Sequence, residues 1–486
     1  MKTLRPLAAA SFLLSAVTVL SQAQVFKKVN FEGTNGAWPT YMSLIQGIDG
    51  NYYGVTKIGG TNGSGNIFRL TATGRVTSLY SFCGTPPNCS DGAFPEGGLV
   101  LGIDGSLYGT TSWGGNGPPC EAGAGCGTVF KLSPSRQLTS LYEFANSDGE
   151  SPMGNLTFAT NGSIYGTTES GPNEGTIYRM SEAGELTTLH IFDGYDGATP
   201  YAGLVEATDG TLYGTTDFGG AYDYGTVFRI SRNGKLSRVY SFCSQPSCAD
   251  GAEPEAGLIQ ANDGSLYGTT SGGIGGYEVG PGTVFRITPD GSFSTLHTFC
   301  SQVNCADGAN PEAPLIQATD GNFYGTTRGG GNLKCNGGFG CGTVFRMTPT
   351  GVVTTLHSFD NNDGNEPYGG LLQSTTGLLY GTTTIGGHLA CFLDIGCGSL
   401  FSLDVGLGPF VTFVRSFGRV GGVGGILGQG FIGATSVSLN GTAADFTVVS
   451  DTFIKATVPP GATSGYVTVT TPSGVLKSNV PFQVIP

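Results

Sequence analysis

The chain has 486 residues, 84 of them Gly, with only 12% charged side chains and a formal charge of -13. Removing Lys2 and Arg5 with a leader leaves 35 acids facing 20 bases. That excludes a basic stripe for nucleic acid or anionic lipid, and 29 Phe and 20 Tyr recurring at fixed repeat positions exclude a low-complexity disordered chain.

Residues 1–23 carry a basic start (Lys2, Arg5), an apolar run over 7–20 and small residues at Ser21 and Ala23, which reads as a secretory signal peptide. The apolar run is too short for a comfortable membrane span, and no second run of spanning length follows. With no Cys before Cys83, an N-terminal lipidated Cys is excluded. The expected product is a secreted, periplasmic or cell-surface protein from about Gln24 onward, in an oxidising compartment.

From there a Tyr-Gly-Thr-Thr tetrad recurs seven times, at Tyr53 (with Val55 inside it), Tyr108, Tyr165, Tyr213, Tyr267, Tyr324 and Tyr380. The steps are 55, 57, 48, 54, 57 and 56 residues, a period of units that bury their faces by stacking. Each repeat divides into four strand-like pieces, clearest over residues 314–359: LIQAT, FYGTT, GTVFRMT and VVTTLHSF. Asp-Gly or Asn-Gly follows the first piece in six copies (Asp49, Asp104, Asn161, Asp209, Asp263, Asp320) and predicts a hairpin in which both turn residues take positive φ. Four antiparallel strands repeated seven times predict a seven-bladed β-propeller over residues 24–405.

The fourth-strand pattern appears six times inside the repeats, at 77–82, 139–144, 187–192, 237–242, 294–299 and 354–359. The seventh copy runs out at 400–403, and FKKVNF at 26–31, followed by Asn35-Gly36 and Pro39, supplies the missing strand. The N-terminal strand is therefore expected to complete the last blade and close the ring. Loops between strands two and three, and between blades, are long and emerge on one side, where a binding surface is expected.

Twelve cysteines fall into six neighbouring pairs: Cys83 with Cys89, Cys120 with Cys126, Cys243 with Cys248, Cys300 with Cys305, Cys335 with Cys341, and Cys391 with Cys397. Repetition of the same spacing favours nearest-neighbour disulfides, and the CxxC spacing of zinc sites is absent.

The YGTT and GTVF segments resemble the GloVer tandem repeat, a family of secreted bacterial proteins, and more loosely the propeller repeats of periplasmic sensors in two-component regulators. The resemblance implies architecture and compartment rather than an activity. From Gly408 the texture changes: Gly430-Phe431, Gly433-Ala434-Thr435, Ser450-Asp451-Thr452, Val458-Pro459, Gly461-Ala462, VTVTTPSG at 467–474 and Phe482 to Val484 are similar to an IPT/TIG domain. That implies an immunoglobulin-like β-sandwich over 406–486, a binding or spacer module without catalysis. Val423-Gly424-Gly425 departs from the β-branched pattern of that family and predicts an irregular early strand.

The linker between repeats reads DG-x-x-P, with Asp91, Asp148, Asp196, Asp250, Asp307 and Asp363, and Asn35 in the first place. An Asp present in nearly every copy is read as holding its own turn rather than as a ring of cation sites. His190, His297 and His357 share one fourth-strand position with Tyr80, Tyr142 and Tyr240, which points to packing with a polar tip rather than metal ligation. His388 alone makes neither a triad nor a zinc site, and the glycines of 422–428 precede strand-like residues rather than a helix, so they are no dinucleotide loop. Two tryptophans, Trp38 and Trp113, are too few for a quinone-cofactor propeller, and GxSxG, HExxH and Walker motifs are missing. No cofactor or metal is expected.

Residues that break the repeat are the better candidates. In the loops between strands two and three these are Trp113, Phe218, Tyr222, Tyr224, Tyr277 and Arg328, together with Lys334 and Phe339. Exposed aromatics beside Glu169, Glu174, Asp217 and Asp223 suit a carbohydrate platform, since sugar C–H faces stack on rings while hydroxyls need polar partners. The first functional expectation is thus non-enzymatic binding or adhesion to an extracellular glycan or surface protein. The second is an enzyme on extracellular polysaccharide using the same carboxylates as acid and base, and the third a structural role in the envelope.

Overall fold

The computed structural model describes residues 25–86, 89–117, 120, 125–273, 280–391 and 395–485. The expected signal peptide and Tyr277 lie outside the described residues. Residues 25–404 form seven four-stranded antiparallel sheets, a propeller-like, all-β arrangement. Six are sequential; the seventh pairs the N-terminal strand Val25–Asn30 with Ser399–Asp404 over six residues. The chain start therefore completes the last sheet, as expected.

The repeat motif explains how the sheets hold together. Every fourth strand ends on a fully buried Phe that packs against the third-strand aromatic of the next sheet, as in Phe82 on Phe130 at 5.1 Å and Phe192 on Phe228 at 5.3 Å. Phe31 makes the same contact with Phe68 at 5.1 Å, so the seventh sheet meets the first. Gln46 of the first sheet also donates to Thr375 Oγ1 of the seventh at 2.8 Å. The tetrad glycine has a steric reason: a Cβ on Gly214 or Gly268 would sit 2.5 or 2.6 Å from the ring of Phe228 or Phe285. The tetrad's last Thr reaches the first residue of strand three, as in Thr216 to Thr226 at 2.8 Å.

The hairpins differ from expectation in one respect. Gly50, Gly105, Gly162, Gly210, Gly264 and Gly321 take φ between 76° and 82°, but the preceding Asp or Asn does not have positive φ. Its side chain instead accepts from the amide two residues on, as Asp209 does from Thr211 at 2.8 Å. Capping by that side chain holds it in ordinary backbone geometry and leaves the left-handed step to Gly.

All six neighbouring cysteine pairs are disulfides, with Cα–Cα separations of 3.9 to 5.5 Å. Six disulfides suit an oxidising, extracellular or periplasmic environment.

The linker Asp is architectural. Asp250, fully buried, accepts from the amides of Ser244 and Gln245 and from Tyr240 Oη at 2.8 Å. The same bond runs from Tyr142 to Asp148 at 2.6 Å, and from His190 and His357 to Asp196 and Asp363 at 2.7 and 2.8 Å. Tyr and His interchange because each brings a donor to one carboxylate. In the first copy the matching fourth-strand residue is Val29, without a donor, and the linker residue is the neutral Asn35.

Residues 411–485 add two four-stranded sheets and a two-stranded parallel pair. Val411, Ile426, Val437, Ile454 and Val469 share one buried cluster between them. Val423–Leu427 is a regular strand paired with 453–457, contrary to the irregularity expected there. Gly425 is required by packing, because a Cβ would lie 2.9 Å from both Phe453 and Val414. This C-terminal unit sits on the tight-turn end of the ring. Thr452 Oγ1 donates to Ile48 O at 2.9 Å, Phe410 N to Thr375 O at 3.1 Å, and Gln483 Nε2 to Thr208 O at 3.1 Å. Arg415 pairs with Glu182 and lies 4.3 Å over the Phe158 ring. Those contacts reach the first, third, fourth and seventh sheets, so the unit lies across the axis at that end.

Candidate functional site

At the opposite end, three positions of each repeat converge on the axis. The residue before the linker Pro is left-handed in all seven copies: Trp38, Phe94, Ser151, Thr199, Glu253, Asn310 and Glu366 have φ between 53° and 58°. Such a conformation is strained for a non-glycine residue and must be held by its surroundings. Two backbone bonds hold it. Its amide donates to a loop carbonyl of the preceding sheet, as Thr199 does to Glu174 at 2.8 Å, and its carbonyl accepts from the residue after the tetrad, as Thr199 does from Asp217 at 3.1 Å.

This clamp directs two variable positions inward. Near the linker Pro stand Tyr41, Glu96, Met153, Tyr201, Glu255, Glu312 and Tyr368; after the tetrad stand Lys57, Ser112, Glu169, Asp217, Ser271, Arg328 and Thr384. Tyr41 faces Tyr201 with ring centroids 6.4 Å apart and Tyr368 at 5.3 Å. Lys57 Nζ lies 3.0 Å from Glu96 Oε2, which is nearly buried, and Ser112 Oγ donates to Glu96 Oε1 at 3.1 Å. Arg328 pairs with Glu312 at 3.2 Å and lies 5.1 and 5.5 Å over the rings of Tyr368 and Phe339. Asn336 donates to Glu366 at 2.9 Å.

Acids outnumber bases in this funnel, and several are buried. Asp217 is 5% exposed, and its carboxyl is pushed up to about 8 by burial, reinforced by Glu255, Glu253 and Glu169. Burial, reinforced by Glu253, pushes Glu255 up to about 7. Glu312 is raised by burial and by Glu255, and Glu169 by burial, against a hydrogen bond from Tyr201. Protonated carboxyls and tyrosine hydroxyls can donate as well as accept, so the funnel suits a hydroxyl-rich ligand. One cavity of about 290 Å³ is lined by Tyr41, Tyr201, Glu255 and Glu312 and continues to Leu258 and Leu315. A neighbouring one of about 470 Å³ is lined by Glu253, Glu255, Glu312, Arg328 and Phe339. Among the described residues no three acids, cysteines or histidines converge to hold a metal ion.

A family model described as the Gloeobacter/Verrucomicrobia repeat matches residues 16–119, 87–277 and 245–447. The chain belongs to that family. No curated protein matches this Gloeobacter/Verrucomicrobia repeat chain. Among solved structures, it is similar to luciferin-regenerating enzyme (12% identity, 64% of this chain and 92% of the other, TM-score 0.41). It is also similar to a Xanthomonas campestris gluconolactonase (13%, 78% and 99%, TM-score 0.38) and to a Bacteroides thetaiotaomicron protein of unknown function (12%, 79% and 76%, TM-score 0.41).

The loop residues expected from the sequence of this repeat protein are divided by the structure. Arg328, Glu169 and Asp217 stand in the funnel. Trp113 and Phe218 follow Ser112 and Asp217 by one residue, and bridge Ala93 and Ala198 on the rim. Trp113 meets Phe94 edge-on at 5.8 Å. Tyr222 is an exposed loop residue, Tyr224 gives its carbonyl to Glu253, and Asp223 accepts from the Gly219 amide at 3.1 Å. Glu174 is exposed and supports the clamp through its backbone. Tyr41, Glu96, Tyr201, Glu255, Glu312 and Tyr368 were missed. The signal was present: the place after the linker Pro changes from Thr40 to Glu96, Met153 and Tyr201 beside a Pro that never changes.

Proposed function

We propose that the seven sheets are the blades of a seven-bladed β-propeller, that residues 406–486 form an immunoglobulin-like module of the IPT/TIG kind, and that the protein is a non-enzymatic binding protein exported by a cleavable signal peptide. Its ligand is an extracellular glycan taken end-on into the axial funnel. The observation that carries this reading is the gathering of Tyr41, Tyr201 and Tyr368 with Glu96, Glu255 and Glu312 at one end of the axis. Rings supply faces for sugar C–H groups and the acids supply hydroxyl partners. The C-terminal unit lies across the other end, which makes the funnel blind.

One observation favours catalysis as a second reading: Asp217, pushed up to about 8 by burial and further by Glu255, Glu253 and Glu169, is suited to donate a proton to a leaving oxygen. A glycan array, with reducing-sugar release measured on the same polysaccharides, separates the two. Binding without release, weakened about 10-fold by Tyr201→Ala or Tyr368→Ala and unchanged by Tyr222→Ala, supports the binding reading. Release abolished by Asp217→Asn establishes the second. Silence in both assays overturns the glycan ligand and moves the search to a surface protein or an envelope role.

A further inference from the structure

The charges of the funnel are unevenly divided between its two sides. On one side the chain supplies its own cations: Lys57 meets Glu96 at 3.0 Å, and Arg328 meets Glu312 at 3.2 Å while lying 5.1 Å over Tyr368. Arg328 displays the niche this chemistry favours, a cation between a carboxylate and aromatic faces. On the other side Tyr201, Glu169, Asp217 and Glu255 offer a ring and three acids, and none of the three has an ion-pair partner among the described residues. Asp217 Oδ1 is buried with no hydrogen-bond partner, in a side chain whose charged neighbours are Glu255, Glu253 and Glu169. Glu255 lines both cavities. Arg328 acts on Glu255 and Lys57 on Glu169 only from beyond ion-pair distance, and Asp217 has no cation among its charged neighbours; acids gathered in this way oppose one another, and an arriving cation relieves them. A bare metal ion fits poorly, because no three ligating groups converge among the described residues. An ammonium group needs only one or two carboxylates and an aromatic face for its three donors.

We propose that the Glu255 and Asp217 side of the funnel receives a protonated amine carried by the ligand, so that the glycan recognised is one with free amino sugars. This deepens the glycan reading and rests on the funnel being the ligand site. Neutral sugars forgo the charge pairing, and acidic ones meet like charge.

The test is calorimetric titration of the full mature protein at low ionic strength with three hexamers, of glucosamine, N-acetylglucosamine and glucose, and with 1,6-diaminohexane. The glucosamine hexamer is expected to bind at least about 10-fold tighter than the other two, roughly the worth of one desolvated charge pair. Glu255→Gln should remove that advantage and Glu255→Asp should keep most of it, with the melting temperature of each variant checking its fold. Equal affinity for the three hexamers overturns the amine inference and leaves the glycan ligand standing. Binding of the diamine but of no hexamer, lost in Glu255→Gln, supports the amine and overturns the glycan. Failure of all four probes overturns both.

Discussion

The aromatic stack between sheets and the funnel at the axis are built by neighbouring residues of one motif, yet they behave oppositely around the ring. The stack repeats its contact seven times at 5.1 to 5.3 Å, whether the partner is Phe or Tyr. The funnel shows three residue types in seven places near the linker Pro and six types in the seven places after the tetrad. A ring of like units must satisfy the same packing at every joint, so joint residues are held alike. Residues pointing at the axis touch no such joint and are free to differ, which is where recognition of an asymmetric ligand can reside.

The largest effect should come from opening the ring. Deleting residues 24–33 removes six paired residues of the closing strand and the Phe31 contact with Phe68, exposing the edge of the strand Ser399–Asp404. Loss of a single cooperative melting transition is expected, whereas Tyr201→Ala in the funnel should leave the transition within a few degrees. A deletion variant that melts like the full chain would show that the joints suffice without closure.

Next in size is a funnel residue that does affect stability, through charge. Asp217 has a folded-state value near 8 against an ordinary 3.8. A raised value means that its contribution is intact below about pH 4 and is lost as pH rises through 8. Asp217→Asn should therefore match the parent near pH 4 and exceed it near pH 9, by an amount on the order of several kcal/mol at most. Parallel denaturant curves across that range would check it, and a constant difference would place the residue outside the acidic cluster.

The sequence made the stack legible because periodicity reports residues that every joint needs: strand count, N-terminal closure and local disulfides all follow from repetition. The funnel was legible only in part. Arg328, Glu169 and Asp217 stand out as odd residues in glycine-rich loops, but their neighbours Trp113 and Phe218 stand out more, and alternation along an extended chain turns adjacent side chains to opposite sides. Tyr41, Tyr201 and Tyr368 were hidden because the linker was read for its constant Asp and Pro. The left-handed residue before that Pro, which aims the next side chain inward, has no sequence signature when it can be Trp, Phe, Ser, Thr, Glu or Asn. The two-residue turns were misjudged for a related reason, since Asp-Gly serves more than one turn geometry.

A smaller effect tests whether the tetrad glycine is a packing requirement. Gly268→Ala places a methyl 2.6 Å from the Phe285 ring and 2.8 Å from Leu258, and a loss of about 1–3 kcal/mol is expected from overpacking. Phe285→Leu in the same chain should recover part of it by vacating the ring tip, giving a measurable coupling between the two sites. Strict additivity would mean that the glycine answers to backbone freedom alone.

The smallest effect concerns the linker. Tyr240→Phe removes one of several donors to Asp250 and leaves the amides of Ser244 and Gln245 in place, so about 1 kcal/mol should be lost. The first copy predicts the converse. Asn35 stands where Val29 offers no donor, so Asn35→Asp introduces a carboxylate without the partner that Tyr or His brings elsewhere and should cost a similar amount. Adding Val29→Tyr should return most of that loss if donor and acid form one unit around the ring. A double variant no more stable than Asn35→Asp alone would confine the pairing to the six repeats that carry it and mark the closing strand as a joint of a different kind.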